Sequence, residues 1–186
     1  MIYMTKTNSG IRELVYISVF AALMTVCAWI SVPGAVPFTM QTFAVFAAAG
    51  ILGSRRGAAA VLVYILLGAV GIPVFSGFRG GIGVLCGTTG GYIIGFIISA
   101  FVTGLICEKL GRSYRVMIPA MLLGLVLCYA FGTAWYMLLY MKTKGAITVY
   151  AVLSSCVFNF IIPDIAKILL AAFTVKRISR LANRQR

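Results

Sequence analysis

Apolar residues in this chain come in six runs, most of them long enough to cross a membrane, and that patterning restricts the fold more than any other feature. The runs cover residues 13–31, 41–53, 57–74, 90–110, 116–141 and 146–175, the second of them short. About 20 apolar residues span a hydrocarbon core of roughly 30 Å, and inside it only a helix satisfies each backbone N–H and C=O within one segment. The expectation is therefore an all-α integral membrane protein, a six-transmembrane-helix bundle. Composition agrees: 62% of the 186 residues are apolar, 10% are charged and mean hydropathy is +1.06. A soluble domain does not have that balance. Residues 1–186 are read as a single transmembrane domain. No glycine-rich phosphate loop ending in Gly-Lys-Ser/Thr occurs, so any energy drawn from nucleotide must come from a partner chain. The run 14–30 is longer than a signal-peptide core of about 7–15 residues and is read as helix 1.

Sixteen Lys and Arg against three Asp and Glu give a net charge of +13. Nucleic acid would attract such a charge, but in a membrane protein cationic residues collect in cytoplasmic loops beside anionic lipid. With the N-terminus in the cytoplasm, twelve of them fall inside, from Lys6, Arg12, Arg55 and Arg56 through the 109–115 and 176–186 clusters. Only Arg79, Lys142 and Lys144 fall outside, and Lys167 lies within a span. Topology accounts for the charge, so nucleic acid is set aside as a partner and membrane lipid is expected. The basic tail after Val175 reads as a cytoplasmic helix end among lipid phosphates.

Between the first two runs, Ser31-Val-Pro-Gly-Ala-Val-Pro-Phe-Thr-Met40 carries no charge, and Pro33 and Pro37 prevent continuous helix. A hydrophobic, non-helical segment at a membrane edge belongs inside the protein, where its backbone can be satisfied. It is expected to form a re-entrant or lid-like loop between helices 1 and 2.

Chemistry-bearing residues are few. There is no histidine, and the five cysteines show no Cys-x-x-Cys spacing, so no metal site is expected and the cysteines read as packing residues. Glu13 and Glu108 stand at helix ends beside Arg12 and Lys109 and read as solvated. Asp164 differs. It follows Pro163 inside the last run, with Lys167 three residues on, so the two share a helix face. Twelve residues before Lys176, at about 1.5 Å each, it lies roughly 18 Å into the bilayer, in the outer half. An ionisable pair at that depth marks a functional site by default, and a self-neutralising intrahelical pair is the plainer alternative. Asn159 and Ser155 add polarity nearby.

A second unusual stretch runs from Gly77 to Tyr92 on the outer side and is rich in glycine. Glycine permits close backbone approach to a ligand, which suits Gly80 and Gly81, or close helix packing, which suits Gly95. Arg79 either receives a carboxylate or is solvated, and Tyr92 either meets a ligand or belongs to an aromatic belt. On helix 1, Ser18, Ala21 and Ala22 make a smooth patch for internal packing or for a docking partner.

Five segments together carry a resemblance. They are Val36-Pro-Phe-Thr-Met-Gln-Thr42, Gly71-Ile-Pro-Val-Phe75, Gly80-Gly81, Gly87-Thr-Thr-Gly-Gly-Tyr-Ile-Ile-Gly-Phe96 and Pro163-Asp164-x-x-Lys167. In this order, over residues 14 to 175, the chain resembles BioY, the biotin-specific S component of energy-coupling factor (ECF) transporters. The resemblance implies a substrate-binding membrane domain, both termini cytoplasmic in a bacterial cell membrane, and a biotin pocket open to the outside. It implies a T component and two ATPase subunits as partners; ATP is used by them, and this chain needs no cofactor. It also implies that Asp164 and Lys167 help bind the vitamin. Gln41, Phe75 and Tyr92 are candidates for the same pocket, with Asn159, Gly80 and Gly81 beside it. The chain departs from the family with Thr88 in a proline slot, Ile162 before Pro163, Arg79 where some members have Asn, and Ile93 where some have Arg. Arg79 thereby becomes the candidate partner for the biotin carboxylate.

Two other transport readings are a solitary ion-coupled carrier with Asp164 as relay and an S component for another small vitamin. A lipid enzyme lacks what it needs, since there is one intramembrane carboxylate and no acid–base pair.

Overall fold

The computed structural model describes residues 7–34, 36–145 and 148–184. Helix α1 covers Thr7–Trp29 and is followed by a two-stranded antiparallel hairpin, β1 (Ser31–Val32) with β2 (Phe38–Thr39). Then come α2 (Gln41–Leu52), α3 (Ser54–Ala69), a short α4 (Ile82–Leu85), α5 (Gly90–Leu110) and α6 (Tyr114–Lys144). The last rod is α7 (Val149–Leu153), a π segment (Ser154–Phe158) and α8 (Asn159–Arg184) in continuous succession. Among the described residues four rods are long and apolar enough to cross a membrane: 10–29, 90–110, 114–143 and 149–181.

α2 has 12 residues and rises only about 18 Å, too short for a full span. Its sequence explains where it goes instead. Ala44, Ala47, Ala48, Ala49 and Gly50 keep its surface thin, so α1, α3, α5 and α8 all pack against it, and eight of its residues are buried. The outer rods follow in the order α1, α3, α5, α6 and α8, each against the next.

Two sequence expectations shift, and a third is extended. The run 57–74 ends as helix at Ala69, because Gly71 turns left-handed at φ +102° and the Ile72 N–H bonds back to Leu67 O at 3.1 Å, closing the helix before Pro73. The loop 31–40 is a hairpin with Ser31 opposite Thr39 and Val32 opposite Phe38, so its backbone pairs with itself; Ala35 lies outside the described residues. Glu108, exposed at its helix end as expected, also caps α3. Its Oε1 accepts the Ser54 N–H at 3.0 Å and its Oε2 accepts the Ser54 hydroxyl at 2.6 Å. A carboxylate placed against orphan N–H groups at a helix start is favourable electrostatically. Glu13 pairs with Arg56 across α1 and α3, in an exposed bridge that contributes little.

Candidate ligand-binding site

The site begins with Asp164, 3% exposed and the one buried acid among the described residues. Lys167 Nζ donates to its Oδ1 at 2.7 Å, and the Thr42 hydroxyl on α2 donates to the same oxygen at 3.0 Å. The Tyr129 hydroxyl on α6 donates to Oδ2. Three elements therefore converge on one carboxylate. Lys167 is 5% exposed and its Nζ lies 3.8 Å from the centroid of the Phe38 ring, which the hairpin supplies. Phe38 in turn stacks on Phe160 at 6.2 Å. A buried pair costs less when hydrogen bonds and a cation–π face replace lost water, and this pair has both.

The π segment helps to aim α8. Cys156, Phe160, Asp164 and Lys167 fall at spacings of four, four and three, one inward face of the rod, and all four line the same cavity. That cavity encloses about 690 Å³ with its open mouth included. Its walls come from the hairpin, α2, α3, the 75–79 loop, α5, α6 and α8.

Six of the residues singled out from sequence line it: Asp164, Lys167, Arg79, Tyr92, Gln41 and Phe75. Arg79 is exposed at the rim, with its Nε donating to Ser76 O at 3.1 Å. Phe75 is fully buried and meets Tyr64 edge-on at 5.5 Å. Tyr92 is buried, and its hydroxyl shares a 3.1 Å hydrogen bond with Thr133. Gln41 is 4% exposed, and its side-chain Nε2 makes no hydrogen bond with any described group.

The others sit elsewhere. Asn159 is exposed and off the cavity, because five residues before Asp164 is about 140° around the helix. The side chain of Ser155 lies outside what is described. Gly80 and Gly81 do not line the cavity but tie the loop to α3. A Cβ on Gly80 would come within 2.5 Å of Ile72 O, and Gly81, at φ +93°, donates its N–H to Gly68 O at 2.7 Å. Gly95 lies close to Cys128, as a packing glycine should. On α1, Ala21 is in the core, so only Ser18 and Ala22 of the smooth patch face outward.

Reading the sequence alone missed Tyr129 and Thr42. A signal for Tyr129 existed: a tyrosine in mid-span needs a partner for its hydroxyl, and Asp164 is the only acid at that depth.

The geometry can be set beside known proteins. Residues 4–184 match the sequence profile of the BioY family. The biotin transporter BioY of Thermotoga maritima is 42% identical over 171 residues, covering 91% of this chain and 97% of that one. The biotin transporter BioY of Rhodobacter capsulatus is 36% identical over 179 residues, covering 91% and 94%. The crystal structure of an S component for biotin from an ECF-type ABC transporter superposes with a TM-score of 0.83 over 95% of each chain, at 24% identity, and so shares the fold. A multi-pass membrane bundle with a buried, ion-paired cavity and these relatives belongs to the BioY family.

Proposed function

We propose that this chain is the biotin-capturing S component of an ECF-type importer. It transports and makes no covalent change to its ligand. The observation that carries the reading is the Asp164–Lys167 pair, buried and hydrogen-bonded on the wall of a cavity in a chain of this family. Biotin offers two ureido N–H donors, a ureido oxygen, an apolar bicycle and a carboxylate tail. A carboxylate has about four lone-pair sites, and three at Asp164 are taken, which leaves one for a ureido N–H. Lys167 has two further donors for the ureido oxygen, as has the Gln41 amide. Phe75, Tyr92 and Phe160 cover the bicycle. The carboxylate then points to the rim, where Arg79 keeps most of its five donors.

In this reading six helical segments build the membrane bundle, four of them full spans, with the shorter α2 and α3 completing it and both termini in the cytoplasm. The hairpin 31–40 serves as the lid, its Phe38 resting on Lys167. A T component and two ATPase subunits supply the energy, and the outward Ser18 and Ala22 offer a smooth contact for the T component.

Calorimetry of the purified protein against biotin, with thiamine and riboflavin as controls, tests this. Saturable heat with biotin alone is expected, and its loss in Asp164→Asn and Lys167→Ala variants that insert normally. No heat with biotin overturns the assignment; unchanged heat in the variants moves the site elsewhere.

A further inference from the structure

Arg112, Lys176 and Arg180 line a second cleft, where the end of α5 and the start of α6 meet α8. It encloses about 830 Å³ with its open mouth included, and Ser113, Ser179 and Leu110 complete its wall. Two of the cations are clipped in place. Arg112 Nη2 donates to Ile51 O at 3.0 Å, and Lys176 Nζ donates to Arg112 O at 3.1 Å. Each retains further donors, since a guanidinium has five and an ammonium three.

The charge of Glu108 reaches Arg112, but among the described residues no carboxylate forms an ion pair with Arg112, Lys176 or Arg180. Among the described residues the ion pairs are Arg56 with Glu13 and Lys167 with Asp164, while Glu108 is bonded to Ser54. Three held or exposed cations and two hydroxyls, with one neighbouring carboxylate that pairs with none of them, fit a phosphate group. The surroundings say which phosphate. Arg180, Phe173 and Leu169 stand seven and four residues apart, so the cationic end of α8 continues into an apolar stripe on the same face. Phe173 and Leu169 are 58% and 51% exposed, and Leu110 on the cleft wall is 69% exposed.

We propose that this cleft holds the phosphate of an anionic phospholipid, its headgroup against Arg112, Lys176 and Arg180 and its acyl chains along Leu110, Phe173 and Leu169. The site is separate from the biotin cavity and shares no lining residue with it.

Native mass spectrometry of the full chain, released from detergent, tests it with phosphatidylglycerol, phosphatidylcholine and inorganic phosphate as probes. The protein is expected to retain one phosphatidylglycerol with about tenfold preference over phosphatidylcholine. Lys176→Gln with Arg180→Gln should erase that preference, and Arg180→Gln alone, which disturbs no clipped contact, should reduce it about threefold. The charge-matched pair Arg115→Gln with Arg177→Gln should leave it intact. Equal retention of both lipids, equal loss in the charge-matched pair, or displacement of the lipid by equimolar inorganic phosphate each overturns the proposal.

Discussion

Asp164 accepts hydrogen bonds from three side chains, of which only Lys167 carries charge, so Thr42 and Tyr129 decide how the carboxylate is aimed. A hydrogen bond to a charged group contributes about 1.5–3 kcal/mol. Tyr129→Phe should therefore weaken biotin binding by about tenfold, which is about 1.4 kcal/mol, with Thr42 and Lys167 limiting the loss. Calorimetry reads this directly, and an unchanged affinity would remove Tyr129 from the site. Removing one partner of a buried pair is harsher. Lys167→Ala strands a buried carboxylate and should lower stability by about 3–5 kcal/mol, seen as earlier loss of helical signal on denaturation. Adding Asp164→Leu should restore most of that stability but no binding, which separates a structural pair from a ligand site. The pair itself was legible in the sequence, since a lone acid and a lone lysine three residues apart in an apolar run can hardly be accidental. Of its neighbours, Tyr129, 35 residues away, left only its mid-span hydroxyl as a signal, and Thr42 reaches Asp164 from 122 residues away with none.

At the scale of elements, the close packing around α2 and α3 sets the shape of the pocket. Gly68 on α3 lies against the Phe75 ring, where a Cβ has no room. Phe75 is fully buried and braced edge-on by Tyr64, so the ring can yield only toward the cavity it lines. Gly68→Ala should therefore weaken biotin binding and cost about 1–3 kcal/mol of stability, the usual range for overpacking. Gly68→Ala with Phe75→Leu should recover part of both, measured by calorimetry and denaturation; failure of the smaller side chain to help would place the strain elsewhere. The apolar runs marked the rods well, because a span must be continuously apolar. The hairpin 31–40, the cap made by Glu108 and the π segment were invisible. Each depends on pairing across the chain or on a helix-register shift, and neither leaves a periodicity to read.

At the scale of the whole molecule, orientation follows from charge, and the molecule carries its own reporter for it. Cys86 is exposed in the loop after α4, whereas Cys27, Cys107, Cys128 and Cys156 are buried. The same end of the bundle holds Arg79 at the pocket rim, and the opposite end holds Arg55, Arg56, Arg112 and Lys176. If the positive end faces the cytoplasm, Cys86 and the pocket mouth face outward. A membrane-impermeant maleimide should then label intact cells expressing the protein, and Cys86→Ser should abolish the label without lowering expression. Labelling only after permeabilisation would invert the bundle, opening the pocket to the cytoplasm and setting twelve cationic residues against the positive-inside bias. Such an inverted molecule would release vitamin where capture is needed, so this labelling experiment decides whether the cavity can serve import at all.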